Sequence, residues 1–293
     1  MPATIEQYPV GSGPYAVTTG PDGALWYTLV HSGRIGRLSP GGTPAGFAVG
    51  AGTGPTIIVP GPDGALWFTC YRSHQIGRIT TAGQATLFPL PTPQAGPFGI
   101  TAGPDGALWF TESAADRIGR ITPAGEITEF PLPGTGMFAS AITAGTDGGL
   151  WFTLNQANAI GRIRTDHKIT VFALPTPKAG PVGITAGPDG AVWFVQILAG
   201  QAGRITADGD ITEFPLPDRA GRPHAIVSGP DDRLWFTEWA GNRVGAIDVS
   251  GHAETYDLPV AGSEPHGLTA GPDGAVWVAL ENGHLARIAP RDR

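Results

Sequence analysis

Short runs rich in Ile, Thr, Phe and Trp alternate with turn-forming segments along almost the whole chain. In one well-formed copy the runs are "FGITAG", "ALWFTE", "RIGRIT" and "EITEFPL", within residues 96–133. β-Branched and aromatic residues favour strands. "GPDG" places Pro and Gly where a type I turn needs them, and the Gly of "PAG" tolerates positive φ in a hairpin. No segment keeps a helical period over about ten residues. Each copy therefore predicts four short antiparallel strands.

Seven tryptophans repeat with this pattern. The first pair is 41 residues apart and each later pair is 42 apart. The seven are Trp26, Trp67, Trp109, Trp151, Trp193, Trp235 and Trp277. A four-stranded unit with this period is typical of a propeller blade. The chain is therefore predicted to be an all-β, seven-bladed β-propeller with four antiparallel strands per blade, and residues 1–293 are expected to form a single domain. The Trp column is interpreted as structural, because large rings between blades bury much apolar area.

The two chain ends predict how the ring closes. "TIEQYPV" at residues 4–10 resembles "EITEFPL", the fourth strand of the repeat, whereas the C-terminus ends after "HLARIAP", the third strand. The last copy therefore lacks a fourth strand and the N-terminus has a spare one. We expect the N-terminal strand to complete the last blade, which pairs edges that would otherwise be exposed.

Composition narrows the classes of function. The hydrophobic fraction of 41% and the eight Trp allow a large core. The net charge of −7 and the 18 scattered Lys and Arg make nucleic acid and anionic membrane poor partners. With one cysteine no intrachain disulfide can form, and neither a signal peptide nor a membrane-spanning run is recognisable. The protein is expected to be cytoplasmic. It is also expected to be a monomer, because a closed ring has no structural need for a partner.

Departures from the repeat mark candidate sites, because consensus positions mostly build the scaffold. Eleven residues before each Trp, where the first strand begins and is expected to ring the channel mouth, are Tyr15, Thr56, Phe98, Ser140, Val182, His224 and His266. Thirteen before each Trp are Gly13, Gly54, Gly96, Phe138, Gly180, Arg222 and Glu264. Four after each Trp are Val30, Tyr71, Ser113, Asn155, Ile197, Trp239 and Glu281. In the columns thirteen before and four after each Trp, only the last copy carries an acidic residue.

Hairpin geometry predicts that these departures meet. Glu264 and His266 are two residues apart, so in an extended strand they project to the same side. Folding the hairpin about residues 272–274 places Glu281 roughly opposite Pro265. His224 occupies the position of His266 on the neighbouring blade. Such residues on propeller loops are often only solvated surface, but four departures at one rim of two adjacent blades indicate a site.

The types of residue in this group predict its chemistry. Two carboxylates beside an imidazole suit a hard divalent cation, and Mg²⁺ usually takes only one or two protein carboxylates. A nearby cation disfavours protonation of His266. The imidazole then stays neutral and can act as a base near pH 7.

Other polar candidates are weaker. The remaining histidines share no column with a plausible partner and are expected at the surface: His31, His74, His167, His252 and His284. Glu112 and Glu238 lie three residues after their Trp and either face the channel or make structural hydrogen bonds. Cys70 shares that column and has no evident base, so it is not proposed as a nucleophile.

The whole chain, over residues 4–290, resembles the virginiamycin B lyase family, also called streptogramin B lyases. The resemblance rests on the blade unit, on "RPHAI" at residues 222–226, on "EPHG" at residues 264–267 and on the Glu that ends "WVALE". "RPHAI" followed by "EPHG" at an offset of 42 residues is the most specific of these. The departures are small: Ala139 replaces a Pro of most copies, and the last blade reads "WVAL" for "WFTE". None of them falls on the four proposed site residues.

The resemblance implies a Mg²⁺-dependent lyase that opens the ring of streptogramin B antibiotics, which are cyclic depsipeptides, at the threonine ester by elimination. Matched position by position, Glu264 and Glu281 are the Mg²⁺ ligands, and His266 is the general base or acid. His224, Tyr15 and Trp239 match positions that contact the substrate. Two other functions stay open at this point. One is a metal-dependent lactone hydrolase, disfavoured because such enzymes spread their acidic ligands around the channel, and the other is a non-catalytic binding propeller.

Overall fold

A computed structural model describes residues 4–164 and 166–289. Its 28 strands form seven antiparallel sheets of four strands each, and the described residues contain no helix. The predicted seven-bladed β-propeller is confirmed. Among the described residues, no helix has the length and hydropathy that crossing a membrane requires.

Each blade takes four strands that are consecutive in the chain, except the last blade, which takes its fourth strand from the N-terminus. Blade 1 contains β2 (Pro14–Thr19), β3 (Leu25–Leu29), β4 (Arg34–Leu38) and β5 (Ala45–Ala48), and blade 2 contains β6 (Pro55–Pro60), β7 (Leu66–Cys70), β8 (Gln75–Ile79) and β9 (Ala85–Pro89). Blade 3 contains β10 (Pro97–Ala102), β11 (Leu108–Glu112), β12 (Arg117–Ile121) and β13 (Ile127–Pro131), and blade 4 contains β14 (Ala139–Ala144), β15 (Leu150–Leu154), β16 (Ala159–Ile163) and β17 (Ile169–Ala173). Blade 5 contains β18 (Pro181–Ala186), β19 (Val192–Gln196), β20 (Gln201–Ile205) and β21 (Ile211–Pro215), and blade 6 contains β22 (Pro223–Ser228), β23 (Leu234–Glu238), β24 (Arg243–Ile247) and β25 (Ala253–Asp257). Blade 7 contains β26 (Pro265–Ala270), β27 (Val276–Leu280), β28 (His284–Ala289) and β1 (Thr4–Pro9).

The Trp column is structural, as predicted. All seven rings are buried, with at most 7% of their surface exposed. In every blade the indole N–H donates to the Asp of the preceding turn at 2.9–3.0 Å. Each ring also stacks on or tilts against an aromatic ring of the fourth strand. The turn Asp thus satisfies the one polar atom of a buried ring, which lets the ring fill the space between blades.

Hydroxyl groups bridge neighbouring blades. In five blades a Thr on the second strand donates to a carbonyl on the first strand of the next blade, at 2.6–2.9 Å. Blades 5 and 7 carry Val195 and Ala279 at this position and cannot make the bridge. At those two junctions a hydroxyl of the following blade replaces it: Ser228 donates to Ala186 at 2.6 Å, and Thr19 donates to Ala270 at 2.8 Å. Every junction therefore has at least one such bond.

The N-terminal strand closes the ring, as predicted. β1 pairs with β28 in antiparallel register, from Thr4 opposite Ala289 to Pro9 opposite His284. Val10 lies just beyond β1, and its N–H still donates to the Gly283 carbonyl at 2.9 Å. The ring of Tyr8 packs against Trp277 with centroids 5.1 Å apart. We call the boundary between blade 7 and blade 1 the seam.

Deletion of residues 1–10 should lower the melting temperature by about 5 °C or more, because it exposes the edge of β28 and uncovers the Trp277 ring. Thermal unfolding followed by circular dichroism measures the change. Deletion of residues 1–3 alone leaves β1 whole and serves as the control. An unchanged melt after the longer deletion would show that β1 does not hold the ring closed.

Candidate functional site

The three departures in blade 7 lie at one end of its first hairpin. Glu264 immediately precedes β26, His266 is the second residue of β26, and Glu281 immediately follows β27. One ligand atom from each of these side chains lies within 4.8 Å of the others. The structure therefore brings together the three residues that the sequence columns singled out.

The register of this hairpin differs from the prediction by one residue at the site. Near the turn, the strands pair as folding about residues 272–274 predicts. A β-bulge then shifts the pairing, so that Pro265 faces Leu280 rather than Glu281. The Glu281 N–H donates to the Glu264 carbonyl at 3.2 Å. The bulge thus places the two acidic residues next to each other.

The expected reason for the approach of Glu264 to His266 is wrong. Glu264 does not belong to an extended strand, because its φ is 50°. All seven residues of its column have positive φ, and four of them are Gly: Gly13, Gly54, Gly96 and Gly180. A left-handed backbone is costly for a residue with a side chain, and such strain is concentrated at functional sites. The side chain of Glu264 is exposed at the rim.

The carboxylate of Glu281 lies between two imidazoles. His266 Nε2 lies 2.6 Å from Glu281 Oε2, and His31 Nε2 lies 2.7 Å from Glu281 Oε1. His266 is only 7% exposed. His31 comes from blade 1, across the seam, and its side chain is 49% exposed. Both oxygens of Glu281 therefore have an imidazole partner.

An aromatic cluster surrounds His266. Tyr15 stacks on the His266 ring with centroids 4.5 Å apart. His224 stands edge-on to both rings, at 5.1 Å from His266 and 6.0 Å from Tyr15. Trp239 follows β23 at the same rim, and its backbone N–H donates to the Arg222 carbonyl at 3.1 Å. Within the described part of the chain, no ring contact joins Trp239 to the cluster.

Burial sets the charge state of these imidazoles. It lowers the pKa of His266, although the hydrogen bond that His266 donates to Glu281 and the negative charges of Glu281 and Glu264 oppose the shift. Burial lowers the pKa of His224 further, to about 3. The Nδ1 atoms of both rings are buried and have no hydrogen-bond partner among the described residues. Both histidines are therefore neutral near pH 7, and each has an unused ring nitrogen.

The contacts with His266 and His31 stabilise the negative charge of Glu281. Its partial burial favours the neutral acid, but the hydrogen bonds from His266 and His31 outweigh burial, and the pKa of Glu281 is lowered. The pKa of the Tyr15 phenol is raised, mainly by burial and to a lesser extent by the negative charge of Glu281. The site thus combines an ionised carboxylate, neutral imidazoles and a neutral phenol.

Sequence reasoning missed His31. It was expected to be surface without a partner, and it is exposed, but it is bonded to Glu281. Its column, five residues after each Trp, contains no other histidine, and ring closure makes blade 1 the neighbour of blade 7. These two signals together could have identified it. Of the other histidines, His167 and His252 are exposed as expected. His74 and His284 are half-buried and bond to Gly96 N–H and to the Asn282 side chain.

The other polar candidates do not belong to the site. Glu112 and Glu238 are completely buried and do not face the channel. Glu238 accepts a hydrogen bond from Arg243 at 2.7 Å, so the structural interpretation is the right one for it. Cys70 is also completely buried, and burial raises the pKa of its thiol to about 12. This thiol is not an activated nucleophile.

Fold and site together define a class of protein: a seven-bladed β-propeller with a compact group of carboxylates and imidazoles at one rim of the channel. The model of the Virginiamycin B lyase family matches residues 3–288, almost the entire chain. The chain belongs to the Virginiamycin B lyase family, a family of lyases. The resemblance seen in the sequence motifs is thereby confirmed.

Solved structures of relatives are similar over the whole chain. Selenomethionine-substituted virginiamycin B lyase from Staphylococcus aureus is 39% identical with a TM-score of 0.95, covering 99% of this chain and 100% of that one. A catalytically inactive histidine-to-alanine variant from the same organism, with quinupristin, is 39% identical with a TM-score of 0.93, covering 98% and 100%. The virginiamycin B lyase of Saccharopolyspora erythraea is 77% identical over 30 residues, a match that spans only 10% of each chain.

Glu112 has an unusual environment within the blade. Neither of its carboxylate oxygens has a hydrogen-bond partner among the described residues. Burial, and then the charge of Glu129, raise its pKa to about 8, opposed by Arg117. Blade 5 carries Gln196 at the equivalent position, and its amide donates to Glu213, the counterpart of Glu129, at 2.8 Å. A neutral side chain is therefore the form that this position accommodates.

The substitution Glu112→Gln should stabilise the protein at high pH. Because the folded-state pKa of Glu112 is raised, its contribution to stability is fully present below about 4.5 and is lost as pH rises through about 8. Since one pKa unit corresponds to about 1.4 kcal/mol, the variant should gain roughly 2 kcal/mol or more at pH 9 and little at pH 5. Urea unfolding at both pH values measures this. Glu126→Gln, an exposed site in the same blade, is the control. An equal effect of Glu112→Gln at both pH values would exclude a neutral Glu112.

Proposed function

We propose that the protein is a Mg²⁺-dependent lyase that opens the lactone ring of streptogramin B depsipeptides at the threonine ester by elimination. The observation that carries this proposal is the group of Glu264, His266 and Glu281, in a chain of the Virginiamycin B lyase family. The similarity to a Staphylococcus aureus lyase with quinupristin supports a cyclic depsipeptide as the substrate class.

The donor set fits Mg²⁺. Carboxylate oxygens are the protein ligands that this ion prefers, and one or two of them usually suffice. Glu264 and Glu281 would hold it, since their ligand atoms lie within 4.8 Å of each other and Glu281 is ionised. When bound, the ion supplies Lewis-acid stabilisation of the negative charge that develops on a substrate carbonyl oxygen. Imidazole is not a preferred Mg²⁺ ligand, which leaves His266 available for proton transfer.

His266 acts as the general base. Its neutral imidazole takes the α-proton of the threonine residue, and the electron pair of that C–H bond forms the Cα–Cβ double bond. The bond from Cβ to the ester oxygen breaks, and the carboxylate leaves with its electron pair. The product is a linear peptide with a dehydrated threonine, and no water enters it. Glu281 and the stacked ring of Tyr15 fix the orientation of the imidazole.

His224, Tyr15 and Trp239 form the substrate-binding surface in this proposal. His224 is a neutral, half-buried imidazole at the rim and can exchange hydrogen bonds with peptide groups of the substrate. Tyr15 and Trp239 are half-buried aromatic rings at the same rim. Rings of this kind suit a bulky, largely apolar cyclic peptide, because they bury area with little loss of side-chain freedom.

We also propose that residues 1–293 form one domain and act as a cytoplasmic monomer. The closed ring of blades supports the monomer, because it leaves no blade without two neighbours. The buried free thiol of Cys70 supports a reducing compartment. The net charge of −7 disfavours nucleic acid and anionic membrane as partners.

Incubation of the protein with a streptogramin B antibiotic and Mg²⁺ in ¹⁸O-labelled water tests the reaction. Elimination gives a linear product with the mass of the substrate and no ¹⁸O, because the ester C–O bond breaks without addition of water. EDTA should stop turnover, and added Mg²⁺ should restore it. Mass spectrometry reads the product. A product that gains one labelled water would establish hydrolysis, and turnover in EDTA would exclude the metal.

His266→Ala should lower turnover by roughly 100-fold to 10,000-fold, which is the usual contribution of a general base. Steady-state kinetics with the same antibiotic measures the loss, and circular dichroism checks that the propeller stays folded. His252→Ala removes an exposed histidine from a distant turn and serves as the matched control. Full activity of the folded His266→Ala variant would remove His266 from the base role.

A further inference from the structure

The two oxygens of Glu281 have partners of different origin. His266, on the same hairpin, occupies Oε2, and His31, on the next blade, occupies Oε1 at 2.7 Å. His31 and Glu281 are 250 residues apart in the chain. Only closure of the ring across the seam brings them together. Oε1 of Glu281, a candidate metal ligand, is thus held by a residue of a different blade.

The ring of His31 is itself held by its blade. A Cβ built on Gly13 would come within 2.4 Å of His31 Cδ2, so the ring lies directly on the Gly13 backbone. The N–H of Val30, the preceding residue, donates to the Gly13 carbonyl at 3.1 Å. Gly13 has the left-handed backbone of its column, with φ of 73°. A glycine at this position therefore makes room for the imidazole that reaches Glu281.

Stability does not explain the contact. The side chain of His31 is 49% exposed and that of Glu281 is 27% exposed. Exposed contacts of this kind contribute little to folding, and the hydroxyl bridge from Thr19 to Ala270 already joins these blades. The contact instead fixes the direction of a carboxylate. Residues that orient metal-binding side chains in this way usually change metal affinity when they are replaced.

We infer that His31 is a positioning residue for the metal site: it donates from Nε2 to Glu281 and holds that carboxylate in place for Mg²⁺. This inference rests on the proposed function, since it assigns His31 to the same site. His31 does not touch the reacting atoms in this assignment. It makes the metal affinity of blade 7 depend on blade 1, through one hydrogen bond across the seam.

Titration calorimetry with Mg²⁺ alone tests the inference on the full chain. His31→Ala should weaken Mg²⁺ binding by about 10-fold to 100-fold, as expected for loss of a residue that orients a ligand. His31→Gln keeps an N–H donor of similar reach and should stay within about threefold of the wild-type affinity. A general disturbance of the rim would not be rescued by this conservative change.

Arg72→Ala is the matched control. Arg72 occupies the position of His31 in blade 2 and covers Gly54 as His31 covers Gly13, but blade 2 does not adjoin blade 7. Its replacement should leave Mg²⁺ affinity unchanged. Wild-type affinity in His31→Ala would overturn the inference. Tighter binding would overturn it as well, because His31 would then compete with the metal for Glu281.

The failure of the proposed function has a different signature. If the wild-type protein binds no Mg²⁺, the metal assignment fails. The positioning role of His31 is then tested by a crystal structure of the metal-free His31→Ala variant. The inference requires that the Glu281 carboxylate leaves its position in that variant and keeps it in His31→Gln. An unmoved carboxylate in His31→Ala would refute the positioning role.

Discussion

Closure of the ring at the seam is the constraint on which the rest of the molecule depends. β1 and β28 come from opposite ends of the chain, and their pairing completes blade 7. The same closure sets blade 1 against blade 7, so that Tyr15 stacks on His266 and His31 reaches Glu281. None of these contacts is local in sequence. Because most repeat contacts join only neighbouring blades, the seam is the one junction where the chain must meet its own beginning, and the site is built there.

The scaffold and the site use the same backbone positions in different ways. At the column thirteen residues before each Trp, the backbone is left-handed in every blade, and Gly meets that requirement at little cost in most of them. Glu264 accepts the same conformation with a side chain attached, which places a carboxylate at the rim. The β-bulge of the hairpin is likewise common to all blades, but only in blade 7 does it set two acidic residues side by side. The repeat supplies the geometry, and a few substitutions give one copy its chemistry.

The regular part of the structure could be predicted from the sequence because its causes are local. The Trp period, the turn residues and the spare N-terminal run determine blade number, strand order and closure. Columns counted from Trp also singled out Glu264, His266 and Glu281. Other features escaped because they arise between blades or from backbone detail. His31 belongs to a different column and a different blade from its partner. The φ of Glu264 is not visible in a pattern of residue types, and the replacement hydroxyls of Thr19 and Ser228 matter only because Ala279 and Val195 lie on the adjoining blades.

Carboxylates near the end of the second strand show how one step along the chain changes their chemistry. Glu112 and Glu238 lie three residues after their Trp, where the side chain points into the body of the blade and burial raises its pKa. Glu281 lies four residues after its Trp, beyond the strand end and at the rim. There two imidazoles donate to it, and its pKa falls instead. Because successive side chains of a strand point to opposite faces, a shift of one position separates a buried acid from an ionised ligand. An acidic residue at the fourth position after Trp, flanked by histidines of its own blade and of the next, is therefore what distinguishes blade 7 from the other six.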